Sequence, residues 1–431
     1  MSEVRSRTAF EGLRCIRCGY EVDAGRYFEG CPKCTEGDWA ANLEAVYDLN
    51  AARRAWEDRA GRGVWRYAGL MPVRDPRAIV TMGEGATPLI PVEVPGLARA
   101  LVKNEGVNPT WSYKDRLCSV AVTVAREMGA RVIAVSSTGN HGASAAAYAA
   151  RAGLDYVAFT REDIEDPTLA FMQAYGGAVL KTSRLGRWEL LKFGVREFGW
   201  HSVSTYTPAP TGNPFGLEGY KTIAFELFEE LGRVPDVVAV PTCYGEGLTG
   251  VWAGFELLHQ LGLAERTPRM VAAEPAGGAP LWHTLNASGD RVERVPPYTT
   301  VATSIGATAA GDHALHALRL SGGAAIAVTD EEILTAQREL AYQGMLTEPS
   351  GAAAFATLGR LQAALPGFDP RGALAVALVT AGGLREVSKM RTLLPAVPLV
   401  EPTFEALEQV LAGVARTARV GDGCCRSIRG S

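Results

Sequence analysis

Short apolar runs alternate with longer helical stretches through most of the chain after residue 130. The runs are rich in valine, isoleucine and alanine and show no polar alternation, as expected for strands buried on both faces of a sheet. Helical stretches follow the first three runs, which predicts parallel strands joined by crossover helices. The predicted strands are residues 131–137, 155–160, 235–242, 269–275 and 374–380, and the predicted helices are residues 140–153, 166–177 and 248–262.

The segment before this region has a different pattern. Residues 40–75 are charged and are predicted to be helical. Residues 82–92, "MGEGATPLIPV", then form a loop rich in glycine and proline. We see no fixed-period repeat and no low-complexity tract in the chain. The pattern as a whole therefore predicts an α/β fold.

Composition narrows the class of protein. The chain has 431 residues, of which 47% are hydrophobic and 21% charged, and these values are typical of a globular protein. A formal net charge of -4 provides no basic field, so we expect no nucleic-acid partner. The N-terminus lacks the apolar region of a secretion signal, and no apolar run is long enough to cross a bilayer. A cytoplasmic protein without a membrane partner is the expectation.

Four cysteines form one pattern near the N-terminus. Cys15 and Cys18 make one C-x-x-C pair, Cys31 and Cys34 make a second, and twelve residues lie between the pairs. This spacing suits a hairpin that brings four thiolates to the corners of a tetrahedron, which predicts a structural zinc ribbon without an open catalytic position. The alternatives are four reduced cysteines in a loop or two redox pairs.

Four loops carry candidate chemistry, and three of them follow predicted strands. Ligands of parallel sheets bind beyond the carboxyl ends of the strands. Residues 134–146 and 239–250 join small or glycine residues to a helix start, where free N–H groups make an anion site. The other two loops are residues 378–383, "LVTAGG", and residues 108–116, "NPTWSYKDR", which place Lys114 among turn formers and hydroxyls.

These loops are not built for a nucleotide. Neither the lysine of a Walker A motif nor the G-x-G-x-x-G spacing of a dinucleotide site is present. A lysine at a helix start opposes the helix dipole unless its charge is used or neutralised. An amine that attacks a carbonyl, together with a phosphate cradle elsewhere, indicates a Schiff-base lysine that holds pyridoxal phosphate.

Seven blocks then occur in one order, and together they resemble the threonine synthase branch of the fold-type II pyridoxal-phosphate enzymes, the group that includes the tryptophan synthase β subunit. The resemblance covers about residues 80–390, in the blocks "GEGATPLI", "NEGVNPTWSYKDR", "SSTGNHGASAAAYAARAG", "NPFGLEGYKTIAFEL", "PTCYGEGLTGVWAGFELL", "TVATSIG" and "EPSGAAAFATL".

This resemblance implies an α/β protein with two open twisted parallel-sheet domains and an N-terminal zinc-ribbon module, and it suggests a homodimer. The implied division is residues 1–45 for the zinc ribbon, 46–100 and 210–400 for the larger cofactor-binding domain, 101–209 for the smaller domain, and 401–431 for a C-terminal helix and tail.

The resemblance also implies roles for single residues. Lys114 binds the cofactor covalently and later transfers protons, Asn140 bonds the ring oxygen of the cofactor, and Thr380 faces the pyridine nitrogen. Ser137 and Thr138 bind the substrate carboxylate, and His141 lies in the substrate site. The loop that holds the cofactor phosphate through its backbone amides consists of Thr242, Cys243, Tyr244, Gly245, Glu246, Gly247 and Leu248. A carboxylate at Glu246 must point away from the anion or pair with a cation.

The match weakens at the second phosphate site, which a phosphorylated substrate requires. The family often has arginine at the position of Gly216 and at that of Ile305 or its neighbour, and threonine at that of His141. Each charge-assisted bond to a buried phosphate contributes roughly 1.5–3 kcal/mol. Either another cation takes over, or the substrate is different; the candidate cations are Lys221, Arg161, Arg184 and Arg187.

The predicted function is therefore a pyridoxal-phosphate-dependent lyase or synthase that acts on a small amino acid. Threonine synthase chemistry on O-phosphohomoserine is the first expectation. The alternative is β-elimination or β-replacement on a serine-, threonine- or phosphoserine-like substrate, since "GNHG" at residues 139–142 is more typical of dehydratases. A non-catalytic paralogue is disfavoured because Lys114, Asn140 and Thr380 are all retained, and a zinc-ribbon adaptor for nucleic acid lacks a basic surface.

Overall fold

The computed structural model describes residues 8–37, 39–164, 166–205, 209–387, 394 and 396–410. Division of the chain by internal contacts gives one unit of residues 1–385 and a second of residues 386–431. The first unit contains all of the sheets and helices labelled below. In the second unit, residues 404–410 are helical, and residues 411–431 of the predicted C-terminal tail, with Cys424 and Cys425, lie outside the described residues.

Fifteen strands occur in the described part of the chain. They are β1 Phe10–Cys15, β2 Glu21–Val22, β3 Thr35–Glu36, β4 Trp39–Ala40, β5 Leu43–Tyr47, β6 Leu89–Val92, β7 Arg99–Asn104, β8 Val132–Ser136, β9 Asp155–Arg161, β10 Ala178–Thr182, β11 His201–Ser202, β12 Val237–Pro241, β13 Arg269–Pro275, β14 Ala324–Val328 and β15 Leu374–Val379.

Two larger sheets organise the protein. One has six strands in the order β14-β13-β12-β15-β7-β6, and the other has four strands in the order β10-β9-β8-β11. The four-stranded sheet is parallel throughout. In the six-stranded sheet β6 runs antiparallel to β7, so the prediction of two wholly parallel sheets is wrong at this edge. The edge is where an antiparallel strand is commonly added to a parallel sheet.

The α-helices of the described residues connect and cover these strands. They are α1 Leu49–Glu57, α2 Lys114–Glu127, α3 Asn140–Ala152, α4 Asp166–Ala174, α5 Gly186–Glu197, α6 Leu217–Leu231, α7 Glu246–Gln260, α8 Pro280–Asn286, α9 Asp312–Leu320, α10 Asp330–Tyr342, α11 Pro349–Thr357 and α12 Leu361–Ala364. Short 3₁₀ turns lie at Val64–Leu70, Pro76–Ala78, Glu105–Val107, Thr303–Ile305, Leu358–Arg360 and Gly383–Glu386.

The central strands of the six-stranded sheet are buried on both faces. Every residue of β12 and β15 is buried, as the unbroken apolar runs predicted. Helices α6, α7 and α9 contribute to one hydrophobic cluster, and α10 and α11 contribute to a second cluster with β14 and β15. Burial on both faces leaves the loops beyond the strand ends as the places where polar chemistry is accessible.

Two sequence predictions in the N-terminal half need correction. The segment predicted as helical at residues 40–75 begins with strand β5, which pairs with β1, and only Leu49–Glu57 forms an α-helix before the 3₁₀ turn. Asp48 starts that helix because its side chain accepts the backbone N–H groups of Asn50 and Ala51. Strand β7 belongs to the six-stranded sheet, so a domain boundary at residue 101 falls within a strand of the larger sheet.

The N-terminal segment of the described chain forms a small sheet in the order β2-β1-β5 and the hairpin β3-β4. Side-chain hydrogen bonds connect this segment to the start of helix α9. The guanidinium of Arg17 donates from Nε and from a terminal nitrogen to the two carboxylate oxygens of Asp312, both at 2.6 Å. The side-chain oxygen of Asn42 accepts the backbone N–H of His313 at 3.3 Å. No helix among the described residues is long and apolar enough to span a membrane.

Candidate active site

Lys114 is the first residue of α2, and the backbone before it is bound to the end of β15. Ser112 and Ala381 form an isolated antiparallel bridge, and the N–H of Tyr113 donates to the carbonyl oxygen of Thr380 at 2.9 Å. Thr380 is 5% exposed. The structure thereby brings the loop of the predicted reactive lysine together with the loop predicted to face the pyridine nitrogen.

Asp115 fixes the start of α2 on its other side. Its carboxylate accepts the backbone N–H and the hydroxyl of Thr110, at 2.6 and 2.5 Å, and the hydroxyl of Ser144 at 2.6 Å. Burial raises the pKa of Asp115 to about 6, against the lowering effect of these hydrogen bonds. The acid that follows Lys114 in the sequence therefore ties α2 to the preceding loop and to α3.

Arg116 anchors the same helix turn in a fully buried ionic network. It donates to both oxygens of Glu105, at 2.7 and 2.8 Å, and to both oxygens of Glu226, at 2.7 and 2.8 Å. Burial opposes the charge of Arg116, yet these two carboxylates raise its pKa. Sequence reasoning missed this role, because no local spacing connects Arg116 to Glu105 and Glu226.

The predicted phosphate loop lies between β12 and α7. Gly245 has φ +99, a region that disfavours every residue with a Cβ, and an added Cβ would lie 2.2 Å from the Cβ of Ala314. Glu246 is the first residue of α7. An added Cβ at Gly247 would lie 2.6 Å from the ring of Tyr113, so this turn packs directly on the residue before Lys114. The arrangement provides free N–H groups at a helix start, close to the lysine.

The side chain of Glu246 points to the lysine. Nζ of Lys114 and Oε2 of Glu246 are 3.4 Å apart, and the rings of Tyr113 and Tyr220 lie 5.3 and 5.7 Å from the same nitrogen. Burial lowers the pKa of Lys114, but the neighbouring ionisable groups, Tyr113 first and Glu246 next, outweigh burial and raise it. Burial raises the pKa of Glu246, and the charge of Lys114 outweighs it in the opposite direction.

The predicted substrate residues lie at the start of α3. The hydroxyl of Ser137 accepts the N–H groups of Gly139 and Gly142, at 3.3 and 3.0 Å, and so stabilises the turn into the helix. Asn140 donates to both oxygens of Glu348 at 3.1 Å. Glu348 therefore has a positioning role at Asn140.

His141 is partly buried and lies near the lysine, and its imidazole is neutral. Burial lowers its pKa to about 4, and the charges of Lys114 and Glu246 act on it in opposite directions. Its Nε2 atom has no hydrogen-bond partner among the described residues, and the same holds for the hydroxyls of Tyr220 and Thr249. Buried polar atoms without partners are uncommon in folded proteins. These three atoms are suited to a polar ligand such as a phosphorylated pyridine aldehyde with its substrate, so the residues present fit that cofactor.

The candidate cations for a second phosphate differ in whether a carboxylate already pairs with them. Lys221 forms a buried ion pair with Glu218 and is not available to a ligand. Arg161 pairs with Asp163. Arg187 has no carboxylate partner in the described parts of the chain. Burial, followed by the like charges of Arg161 and Arg184, lowers the pKa of Arg187.

Arg187 acts electrostatically on the phosphate loop. Its charge lowers the pKa of Tyr244 and of Cys243, although burial raises both more strongly. Arg184 acts on Tyr244 in the same way. At the position where the family often has arginine, an added Cβ on Gly216 would lie 2.8 Å from Leu117. The packing of α2 thus excludes an arginine there and leaves Arg184 and Arg187 as the cationic side of the loop.

The four cysteines of the N-terminal motif come together. Their sulfur atoms all lie within 4.8 Å of one another, and the residues are Cys15, Cys18, Cys31 and Cys34. The sulfurs of Cys18 and Cys31 are 3.9 Å apart. Four thiolates at roughly 2.3 Å from a tetrahedral zinc ion lie about 3.8 Å from one another, so the cluster fits such an ion.

Comparison with known proteins places the chain in a family. Residues 80–380 match the family described as pyridoxal-phosphate dependent enzyme. The threonine synthase of Methanocaldococcus jannaschii is 35% identical over 390 residues, which cover 86% of this chain and 92% of that protein. The threonine synthase of Mycobacterium bovis is 37% identical over 347 residues, which cover 78% of this chain and 91% of that protein.

Solved structures agree in fold. Maize serine racemase has a TM-score of 0.60 at 20% identity, with 71% of this chain and 91% of that chain covered. The fungal L-serine ammonia-lyase of Rhizomucor miehei has a TM-score of 0.59 at 21% identity, with 71% of this chain and 98% of that chain covered. These structures support the fold alone, while the sequence relatives identify the branch. The chain belongs to the pyridoxal-phosphate dependent enzyme family and, within it, to the threonine synthase-like branch.

Proposed function

We propose that the protein is a threonine synthase that converts O-phosphohomoserine to threonine and phosphate. The observation that carries the proposal is the position of Lys114, whose amine lies at the start of α2, 3.4 Å from the first residue of α7 and next to the end of β15. The curated relatives at 35% and 37% identity are threonine synthases, which supports the same reaction.

Pyridoxal phosphate, when bound, supplies an aldehyde for the lysine and a ring that withdraws electrons from the amino acid. In the proposed site Lys114 binds it covalently, the amides from Thr242 to Leu248 hold its phosphate, and Asn140 and Thr380 orient its ring. Asn140 is oriented for this by Glu348.

Lys114 is also the proposed proton carrier, since its amine is the basic group at the centre of the site. Thr138 and the N–H groups at the start of α3 are proposed to bind the substrate carboxylate, because a helix start favours an anion. Ser137 supports this site indirectly, as its hydroxyl already accepts two backbone N–H groups. The substrate phosphate is assigned to Arg184 and Arg187.

A second candidate function, that of a dehydratase, is supported by His141. His141 presents a neutral imidazole with an unpartnered Nε2 at the lysine, which favours a substrate that carries an uncharged hydroxyl. This observation supports a dehydratase that releases a keto acid from serine or threonine. His141 would then contact the departing hydroxyl.

An assay of the holoenzyme distinguishes the two functions. O-Phosphohomoserine, threonine, serine and phosphoserine are supplied in turn, and phosphate, threonine, 2-oxobutyrate, pyruvate and ammonia are measured. Phosphate release with equal threonine formation supports the first function. Keto acid and ammonia from unphosphorylated serine or threonine, without turnover of O-phosphohomoserine, would reject it in favour of the second.

The proposal has three further parts. The four cysteines hold a structural zinc ion, the protein forms a homodimer, and it works in the cytoplasm. The sulfur spacing supports the first part. The family resemblance supports the second, and the third stays a prediction from the sequence. Metal analysis, light scattering after size-exclusion chromatography, and cell fractionation test them in that order.

A further inference from the structure

The carboxylate of Glu246 is held in a defined orientation toward Lys114. Its Oε2 atom lies 3.4 Å from Nζ, while Oε1 accepts the backbone N–H of Asn213 at 3.3 Å. The side chains of Lys114 and Glu246 are 16% and 9% exposed. Water therefore screens this pair weakly, and the interaction between the two charges is stronger than it is for an exposed pair.

Among the described residues, Lys114 is the one cationic neighbour of Glu246. The facing groups come from α2, α3, α6, α9 and the loop before α7. Burial lowers the pKa of both histidines to about 4, and burial raises the pKa of the phenols and thiols, so all are neutral at pH 7. These neutral groups are Tyr113, Cys118, His141, Tyr220, Cys243 and His313.

Burial by itself disfavours a charged lysine. A buried ammonium without a partner loses its proton more readily than an exposed one, whereas a carboxylate within about 4 Å favours the ammonium. At this position the pKa of Lys114 is raised against the effect of burial, by Tyr113 first and by Glu246 next, and the pKa of Glu246 is lowered, with Lys114 as the first lowering cause. Both shifts have the direction of an ion pair.

A carboxylate in a phosphate loop needs an explanation, because it would repel the phosphate. The geometry provides one: the side chain of Glu246 is directed at the lysine and at Asn213. The backbone N–H groups at the start of α7 are then free for an anion, while the side chain serves a different group.

We propose that Glu246 is the counter-ion that keeps Lys114 protonated whenever the lysine is not bound to the cofactor. An ammonium donates a proton but does not attack a carbonyl, and a neutral amine does the reverse. Glu246 thus sets which of the two forms Lys114 takes after the substrate has displaced it. The proposal rests on the proposed role of Lys114, and it adds Glu246 as a residue that contacts the reacting nitrogen.

The test measures the proton affinity of Lys114 in the cofactor-free full chain. Cyanate modifies the neutral amine, and peptide mass spectrometry gives the rate at Lys114 from pH 6 to pH 11 in the wild type and in Glu246→Gln, Glu246→Asp and Glu218→Gln. The last variant is the matched control, because Glu218 pairs with another buried lysine, Lys221.

The expected result is a midpoint for Lys114 in Glu246→Gln at least one pH unit below that of the wild type, which is at least a tenfold loss of proton affinity. Glu246→Asp keeps the charge and restores part of the difference, and Glu218→Gln leaves the midpoint unchanged. An unchanged midpoint in Glu246→Gln, or an equal shift in Glu218→Gln, would overturn the proposal.

The wild type alone provides a second measurement if the variants do not fold. The midpoint of Lys114 is expected above that of the exposed Lys181 in the same digests, and a midpoint below it would also overturn the proposal. Neither measurement uses cofactor or substrate. A failed threonine synthase assay therefore leaves the result for Glu246 intact, and failure of the Glu246 test leaves the proposed reaction intact.

Discussion

The backbone N–H of Tyr113 donates to the carbonyl oxygen of Thr380 at 2.9 Å. One residue earlier, Ser112 bridges Ala381, and the N–H of Gly382 donates to the carbonyl of Trp111 at 2.9 Å. Two segments from opposite ends of the catalytic region therefore share one backbone ladder. The residues that carry the lysine side chain and the proposed ring-facing hydroxyl are therefore positioned by the same backbone ladder.

Lys114→Ala is expected to abolish the visible absorbance band that lysine-bound pyridoxal phosphate gives. Loss of both covalent binding and proton transfer is expected to lower kcat by at least about 10³-fold, since proton transfer by one side chain alone contributes 10²–10⁴. Spectra and steady-state rates measure the two effects. Lys181→Ala, at an exposed lysine, is the control. A yellow and active Lys114→Ala protein would contradict the assignment.

Gly245→Ala is expected to weaken cofactor binding at least tenfold. The substitution places a Cβ at φ +99 and 2.2 Å from Ala314, which displaces the turn whose amides hold the proposed phosphate. Gly262→Ala, at the other end of α7, has φ +67 and open space around an added Cβ. The control therefore carries only the left-handed strain of roughly 1–2 kcal/mol. Cofactor titration compares the two, and equal affinities would disprove a role for this turn in phosphate binding.

Arg187→Ala is expected to lower kcat/KM for O-phosphohomoserine by about 10- to 150-fold. This is the loss of one charge-assisted bond of roughly 1.5–3 kcal/mol to the substrate phosphate. Arg196→Ala, on the same helix α5, removes an exposed arginine that pairs with Glu29 and is expected to change little. Steady-state kinetics measure both variants. Equal values of kcat/KM for Arg187→Ala and wild type would show that Arg187 does not bind the substrate phosphate.

Glu226→Gln is expected to lower the free energy of unfolding by roughly 3–5 kcal/mol at pH 7, because it leaves Arg116 buried with an incomplete partner set. Burial raises the pKa of Glu226, but Arg116 and Lys103 outweigh it and lower the pKa to about 2, from 4.5 in an unfolded chain. A lowered carboxyl pKa stabilises the fold above pH 4.5, and the contribution is lost as the pH falls toward 2.

Urea unfolding between pH 3 and pH 7 measures this effect. The difference between wild type and Glu226→Gln is expected to shrink as the pH falls through that range. Glu265→Gln, at an exposed position, is the control and is expected to stay within about 0.5 kcal/mol of the wild type. A constant difference at every pH would show that the carboxylate charge is not the source of the stability.

Cys31→Ser is expected to abolish metal binding at the proposed zinc site and to destabilise the N-terminal sheet, because Cys31 is fully buried within the four-sulfur cluster. Metal content is measured by elemental analysis of the purified protein, and stability by thermal unfolding. Cys118→Ser, at a buried thiol outside the cluster, is expected to retain the metal. Equal zinc content in the two variants would exclude these four sulfurs as the ligand set.

The alternation of apolar runs was sufficient to predict the central strands. Runs at residues 235–242 and 374–380 contain β12 and β15, since a strand buried on both faces needs an unbroken apolar sequence. Strand β5 was not predicted, because its five residues include Glu44 and adjoin a charged helix. Strand β6 was assigned to a loop because its four residues include Pro91, which an edge strand tolerates.

The sequence predicted the chemical groups of the site, but it predicted fewer of the contacts between them. The glycine turn, the lysine and the helix starts were visible as sequence signals. The network of Arg116 was not, because Glu105 and Glu226 lie on separate elements and no local spacing connects them. The direction of the Glu246 side chain could not be predicted either, although the sequence limited the carboxylate to pointing away from the anion or pairing with a cation.

The contact between Arg17 and Asp312 limits how the protein can be shortened. Asp312 begins α9, its side chain is 1% exposed, and Ala314 in the same turn packs against Gly245 of the phosphate loop. Removal of the N-terminal segment would take Arg17 away from that carboxylate and expose the start of α9 to solvent. The cysteine-bearing segment is thus an integral part of the enzyme's scaffold, and a trimmed version would need a redesigned residue 312.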